Sequence, residues 1–138
     1  KNKKSRRINF KKNTKQEIDY SNLIYPMENY IFNSQEYIKY VDLDSSGRIE
    51  YIKDYWKLKN DKDLLYEFYN RVKYANANFK KIGKTGSASD MGKIYIIYGK
   101  PLNIDFEFNE NGEFEIWKYR NKKFIFINRF GYFECYRC

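Results

Sequence analysis

The chain has 138 residues, a net charge of +9 and no histidine: room for one domain, without the commonest general base and metal ligand. Leu, Ile, Val and Phe make up about a quarter of it, above the roughly one fifth below which a charged chain stays unfolded. Its longest uninterrupted apolar run covers residues 94–98, too short to cross a bilayer.

The charge is uneven along the chain. Lys1, Lys3, Lys4, Arg6, Arg7, Lys11, Lys12 and Lys15 sit in a stretch without acids, leaving 19 cations against 18 anions for residues 16–138. Residues 1–15 therefore read as a solvated basic arm whose only large apolar groups are Ile8 and Phe10. The expected organisation is a basic arm or linker over 1–17 and one folded domain over 18–138. Pro26 is expected to hold Tyr25 extended. Ser34 is placed to cap a helix through Val41, with Glu36 in its first turn. Ser45-Ser46-Gly47 breaks that helix, and Ile49, Ile52, Tyr55 and Trp56 give a second helix its apolar face. Asn60 or Asp61 caps the longest helix, over about 63–81, whose stripe is Leu65, Phe68, Val72, Ala75 and Phe79 and whose stop is Gly83. Residues 83–92 are small and polar and read as an exposed, flexible loop.

Four short aromatic or β-branched runs follow, over 93–98, 113–119, 124–128 and 132–137, and read as strands. For the first of them a helix capped by Ser89 or Asp90 and running into Gly99 is the open alternative. Gly99-Lys100-Pro101, Asn109-Glu110-Asn111-Gly112 and Asn121-Lys122-Lys123 are the turns and links. Helices first and antiparallel strands afterwards predict an α+β fold: a helical N-terminal half packed on a three- to four-stranded antiparallel sheet.

Most chemical motifs dissolve on inspection. Cys135 and Cys138 form a CxxC, but zinc needs two further ligands and a redox pair wants a helix N-terminus. On a strand the two side chains point to opposite faces, so they read as terminal thiols of no special role, with an intermolecular disulfide as the functional alternative. The basic and aromatic stretch 122–136 fits an RNA-binding sheet motif at Arg129, Phe133 and Tyr136. Phe130 and Tyr132 fill that motif's small-residue slots, so an aromatic face turned into the core is the better reading. Asp42 to Gly47 opens like a Ca²⁺ loop, yet Lys53 stands where the bidentate carboxylate belongs, which leaves a turn and helix cap at Asp44. Gly83-Lys84-Thr85 follows a helix and lacks the upstream glycine of a phosphate loop. Carboxylates such as Asp54, Asp61 and Asp63, or Glu107, Glu110, Glu113 and Glu115, have nothing that gathers two into one pocket. No catalytic residue, metal or cofactor is expected. Asp90 stands out, because a short acceptor flanked by glycines can take backbone N–H groups and shape the loop, with Arg71 and Asn76 as its expected partners.

Many weak pieces recur in a recognisable order: Tyr55 and Trp56; Tyr69, Arg71, Val72, Tyr74, Ala75, Asn76 and Phe79; Ile94 to Tyr98 with Gly99 and Pro101; Ile116, Trp117 and Tyr119; Phe124, Phe126 and Asn128. Over about residues 28–137 this order resembles the GWxTD-domain family of bacterial proteins. The naming motif, Gly-Trp-x-Thr-Asp-x-Gly, reads here Gly86-Ser87-Ala88-Ser89-Asp90-Met91-Gly92, with Ser89 for Thr and Ser87 where the Trp stands. The family has no settled activity. The resemblance implies a bacterial cell-envelope protein, periplasmic or associated with the outer membrane, with a cytoplasmic location as the other option.

The expectation is thus a non-enzymatic interaction or structural module that binds a protein partner in an envelope complex through an edge strand or the glycine loop. Arg71, Asn76, Gly86, Ser89, Asp90, Gly92 and Trp117 are its interaction or loop-organising residues. The alternative is nucleic-acid binding through Lys3, Lys4, Arg6, Arg7, Lys11 and Lys12, which a steep salt dependence would reveal. Peripheral membrane association is compatible with either.

Overall fold

The computed structural model describes residues 16–138, so the arm cations Lys3, Lys4, Arg6, Arg7, Lys11 and Lys12 lie outside the described residues. The first described turns are irregular: a 3₁₀ turn, Tyr20–Leu23, one α turn, Ile24–Pro26, and a π turn, Met27–Ile31. Tyr25 is helical rather than extended. Pro26 is tolerated there because it lies in a first turn, where a missing N–H breaks no helical bond. Helix α1, Ser34–Val41, starts on Asn33, one residue before the expected cap. The Asn33 amide oxygen accepts from the Glu36 N–H while the Glu36 carboxylate accepts from the Asn33 N–H, at 2.8 and 2.9 Å, which satisfies two otherwise orphan donors at once.

Helix α2, Ser45–Lys59, is capped by Asp44, whose carboxylate accepts from the Gly47 N–H at 2.8 Å; the string that opens like a Ca²⁺ loop is this cap. Asn60 closes α2 in the left-handed region at φ +52°, and Asp61 caps α3, Lys62–Asn78, through the Leu64 N–H. Leu65, Phe68, Val72 and Ala75 of the predicted stripe are buried. The helix ends before Phe79, short of Gly83, which turns at φ +80° inside a tight reversal bridging Lys81 and Lys84.

Residues 93–98 are not a strand. They form the body of α4, Asp90–Tyr98, which starts on Ser89 and ends at Gly99 with φ +81°. The reason is its position between two cores. Ile96 joins the helical core of Leu23, Met27, Tyr40, Ile52, Trp56, Phe68 and Val72, while Met91 and Ile94 join Trp117, Phe124 and Phe126 of the sheet. A short helix buried on opposite sides is apolar most of the way round, and its sequence then looks like a buried strand.

The sheet has four strands after all: β1, Asn103–Asn109, β2, Gly112–Lys118, β3, Lys123–Arg129, and β4, Tyr132–Arg137, an antiparallel meander in the order β1-β2-β3-β4. β1 replaces the strand expected over 93–98. Trp117 pairs with Phe124 and Glu115 with Phe126, so these residues share the face that packs on α4. The aromatic run 122–136 therefore sends Phe124 and Phe126 into the core. Among the described residues, no helix is long and apolar enough to cross a membrane.

Candidate functional site

The glycine loop stays exposed at Gly83, Lys84 and Thr85 and becomes a largely buried joint from Gly86 to Gly92. Gly86 lies flat on α3, where a Cβ would come within 1.8 Å of the Ala75 carbonyl oxygen. Gly92 lies on the loop itself, where a Cβ would meet the Gly86 carbonyl oxygen at 1.7 Å. Ser89 stitches the same two turns together. Its hydroxyl donates to the Gly86 carbonyl at 2.7 Å and accepts from the Gly92 N–H at 3.0 Å, which caps α4. Asn76, on the last turn of α3, accepts from the Ser87 N–H at 2.8 Å, and the Tyr30 hydroxyl donates to the Ser87 carbonyl at 2.7 Å. Burial pushes the Tyr30 hydroxyl pKa upward, with nearby Tyr25 adding to the shift, so Tyr30 remains a neutral donor. Ser87, at the family tryptophan's place, is 3% exposed.

Asp90 turns outward from this joint. Its carboxylate accepts from the Cys135 N–H at 2.8 Å and so caps the outer edge of β4. Lys81 adds an ion pair to Glu134 at 3.7 Å on the same edge. Arg71 and Asn76 are not partners of Asp90. Arg71 pairs with Glu67 and donates to the Ile96 and Ile97 carbonyls at 3.2 and 3.3 Å, which satisfies the C-terminal end of α4. Arg71 thus stands at the opposite end of α4 from Asp90, about 10 Å along the axis. Trp117 is 1% exposed and donates its indole N–H to Glu115 at 2.8 Å; it is a core residue, out of reach of a partner. The expected site residues therefore divide into a loop joint, a helix cap, a strand-edge cap and a core anchor.

Cys135 and Cys138 are bonded to each other, against the expectation of free thiols. Cys135 pairs with Phe126 but Arg137 pairs with Ile125, leaving Tyr136 as the extra residue of a bulge. One inserted residue shifts the side-chain alternation by one place, and this brings two cysteines three apart onto the same side.

Two surfaces were not visible in the sequence as sites. A groove of about 250 Å³ runs between α2, α3 and α4, lined by Tyr30, Tyr55, Trp56, Leu64, Phe68 and Ile97 among others, and the Trp56 indole N–H beside it has no acceptor among the described residues. The other surface is β1. Phe106 and Phe108 are 74% and 82% exposed and Leu102 precedes them, also exposed. They lie on the face that carries Trp117, since Ile104 pairs with Trp117, Phe106 with Glu115 and Phe108 with Glu113. The alternation Ile104-Asp105-Phe106-Glu107-Phe108 was the signal for both the strand and its exposed row. Among the described residues β1 pairs only with β2, so alternate N–H and C=O groups along its other side have no strand partner there.

Comparison with known families finds that the model of the GWxTD domain matches residues 2–134. Comparisons with curated proteins and with solved structures find no significant match.

Proposed function

The chain belongs to the GWxTD-domain family, and from that premise we propose that it is a non-enzymatic interaction module of a bacterial cell-envelope assembly. It docks an extended segment of a protein partner along β1. The observation that carries this reading is the open edge of β1 beside the exposed Phe106 and Phe108. A partner strand would gain main-chain hydrogen bonds from that edge and apolar contact from the row of rings. The other edge offers less, because Asp90 and Lys81 already occupy β4. The glycine loop offers less too, since Gly86, Ser87 and Ser89 are buried. The envelope setting is supported by the family resemblance.

The test is affinity isolation of the full chain from native membranes, in parallel with a Phe106→Asp/Phe108→Asp variant. The expected result is a membrane-fraction partner recovered by the wild type and lost by the variant, with unchanged circular dichroism. Failure to recover any partner, together with a purely cytosolic distribution of the protein, overturns the reading.

A further inference from the structure

We propose that, until a partner strand displaces it, the β1 edge takes the chain's own basic arm, with residues 7–11 lying beside Asn103–Asn109 as an added strand. The inference rests on β1 being a docking edge and specifies what covers it. The β1–β2 hairpin carries Asp105, Glu107, Glu110, Glu113 and Glu115 against a single cation, Lys118, which pairs with Asp105 at 2.6 Å. Residues 1–15 carry eight cations and no acid. The most acidic strand pair of the sheet thus faces open solvent in a protein whose excess positive charge is gathered in one segment.

The alternation matches as well as the charge. In β1, Ile104, Phe106 and Phe108 share one face, and Asp105 and Glu107 the other. In the arm, Arg7-Ile8-Asn9-Phe10-Lys11 alternates in the same period. Laid along β1, Ile8 and Phe10 meet the row of exposed rings, while Arg7 and Lys11 fall on the face of Asp105 and Glu107. Ile8 and Phe10 are the arm's only large apolar residues, and they stand two apart, as Phe106 and Phe108 do. Edge-to-edge pairing of two β1 strands fits poorly, because it sets carboxylate against carboxylate across the new pair. Gln16 is held on α3 by its bond to Asn70, and the five steps from Lys11 to Gln16 reach at most about 18 Å. Whether the arm comes from the same copy or a neighbouring one is then a matter of distance, read from concentration dependence.

The test is amide hydrogen exchange on the full chain and on an Ile8→Ser/Phe10→Ser variant, at several protein concentrations and at low and high salt. Wild-type β1 amides should exchange at least about tenfold more slowly than those of the variant, and high salt should weaken that protection. Protection independent of concentration places the arm on its own copy. Protection that appears only with a dimer places it on a neighbour, and both results uphold the proposal. Equal exchange in the two proteins overturns it, as does protection that survives the substitutions and rises with dimerisation, which would mean β1 pairs with β1. Running the partner isolation on the same variant separates the two ideas. A partner captured through Phe106 and Phe108 alongside equal exchange leaves the docking edge standing and the arm's role refuted. Equal exchange with no partner removes both.

Discussion

A Cβ on Gly86 would sit 1.8 Å from the Ala75 carbonyl oxygen, and one on Gly92 would sit 1.7 Å from the Gly86 carbonyl oxygen. Both obstacles are backbone, which cannot swing aside as a side-chain tip can. Neither glycine has positive φ, so space alone requires them. Gly86→Ala should therefore cost about 3 kcal/mol, at the upper end of overpacking effects, as a lowered urea midpoint. Gly83→Ala is a useful contrast, because its Cβ would meet nothing and its cost is only that of a positive φ, about 1 kcal/mol. Tyr119 supplies a pH-dependent term. Its hydroxyl donates to the Gly99 carbonyl at 2.7 Å, and burial pushes its pKa up to about 12, against about 10 when unfolded. A raised folded pKa means the contribution is whole below pH 10 and is lost as pH climbs through 12. Tyr30, Tyr40, Tyr51 and Tyr95 are shifted the same way. Stability should fall steadily above pH 10, and Tyr119→Phe should lower the neutral-pH value by about 1 kcal/mol while softening that fall, checked by urea titrations from pH 8 to 11.5.

Among the elements, α4 shows how environment overrides local pattern. The run 93–98 has the composition of a buried strand, and what makes it a helix is a cap at one end and two cores on its flanks. Ser89 receives the Gly92 N–H, and Arg71 covers the Ile96 and Ile97 carbonyls at the other end. Ser89→Ala removes the cap and leaves the buried Gly86 carbonyl without that donor, so it should cost about 1–2 kcal/mol. Ser89→Thr keeps the hydroxyl and should recover most of the loss in chemical denaturation. β1 went unread for the opposite reason. Its alternation is regular, but it lies between two turn signals and buries no large side chain, so nothing in its composition announces a core strand. The bulge in β4 is similarly silent in sequence, since it depends on how residues 125 and 126 pair with 135 and 137.

At the scale of the molecule, two cores meet at α4, with Phe79 touching both, and the sheet extends past the helices to β1, whose outer edge no other described strand covers. Phe106→Asp/Phe108→Asp should leave stability within about 0.5 kcal/mol, because these rings are exposed, while abolishing partner capture. That combination separates a docking surface from a packing one. Charge, by contrast, was legible throughout. The sequence alone locates eight of the excess cations in residues 1–15 and predicts a helical half followed by an antiparallel sheet, with three of the four strands and the helices α1, α2 and α3 placed within a few residues. It also points to Gly86, Ser89, Asp90 and Gly92 as loop organisers. These features rest on local properties, such as caps, periodicity and turn residues, that act within about ten residues of chain. Only the tertiary structure decided that the loop is buried at Gly86, Ser87 and Ser89, that Asp90 holds β4 rather than Arg71, that Trp117 is core, and that the two cysteines face each other. Each of those depends on which distant backbone lies alongside, a relation set when α4 is clasped between helices and sheet.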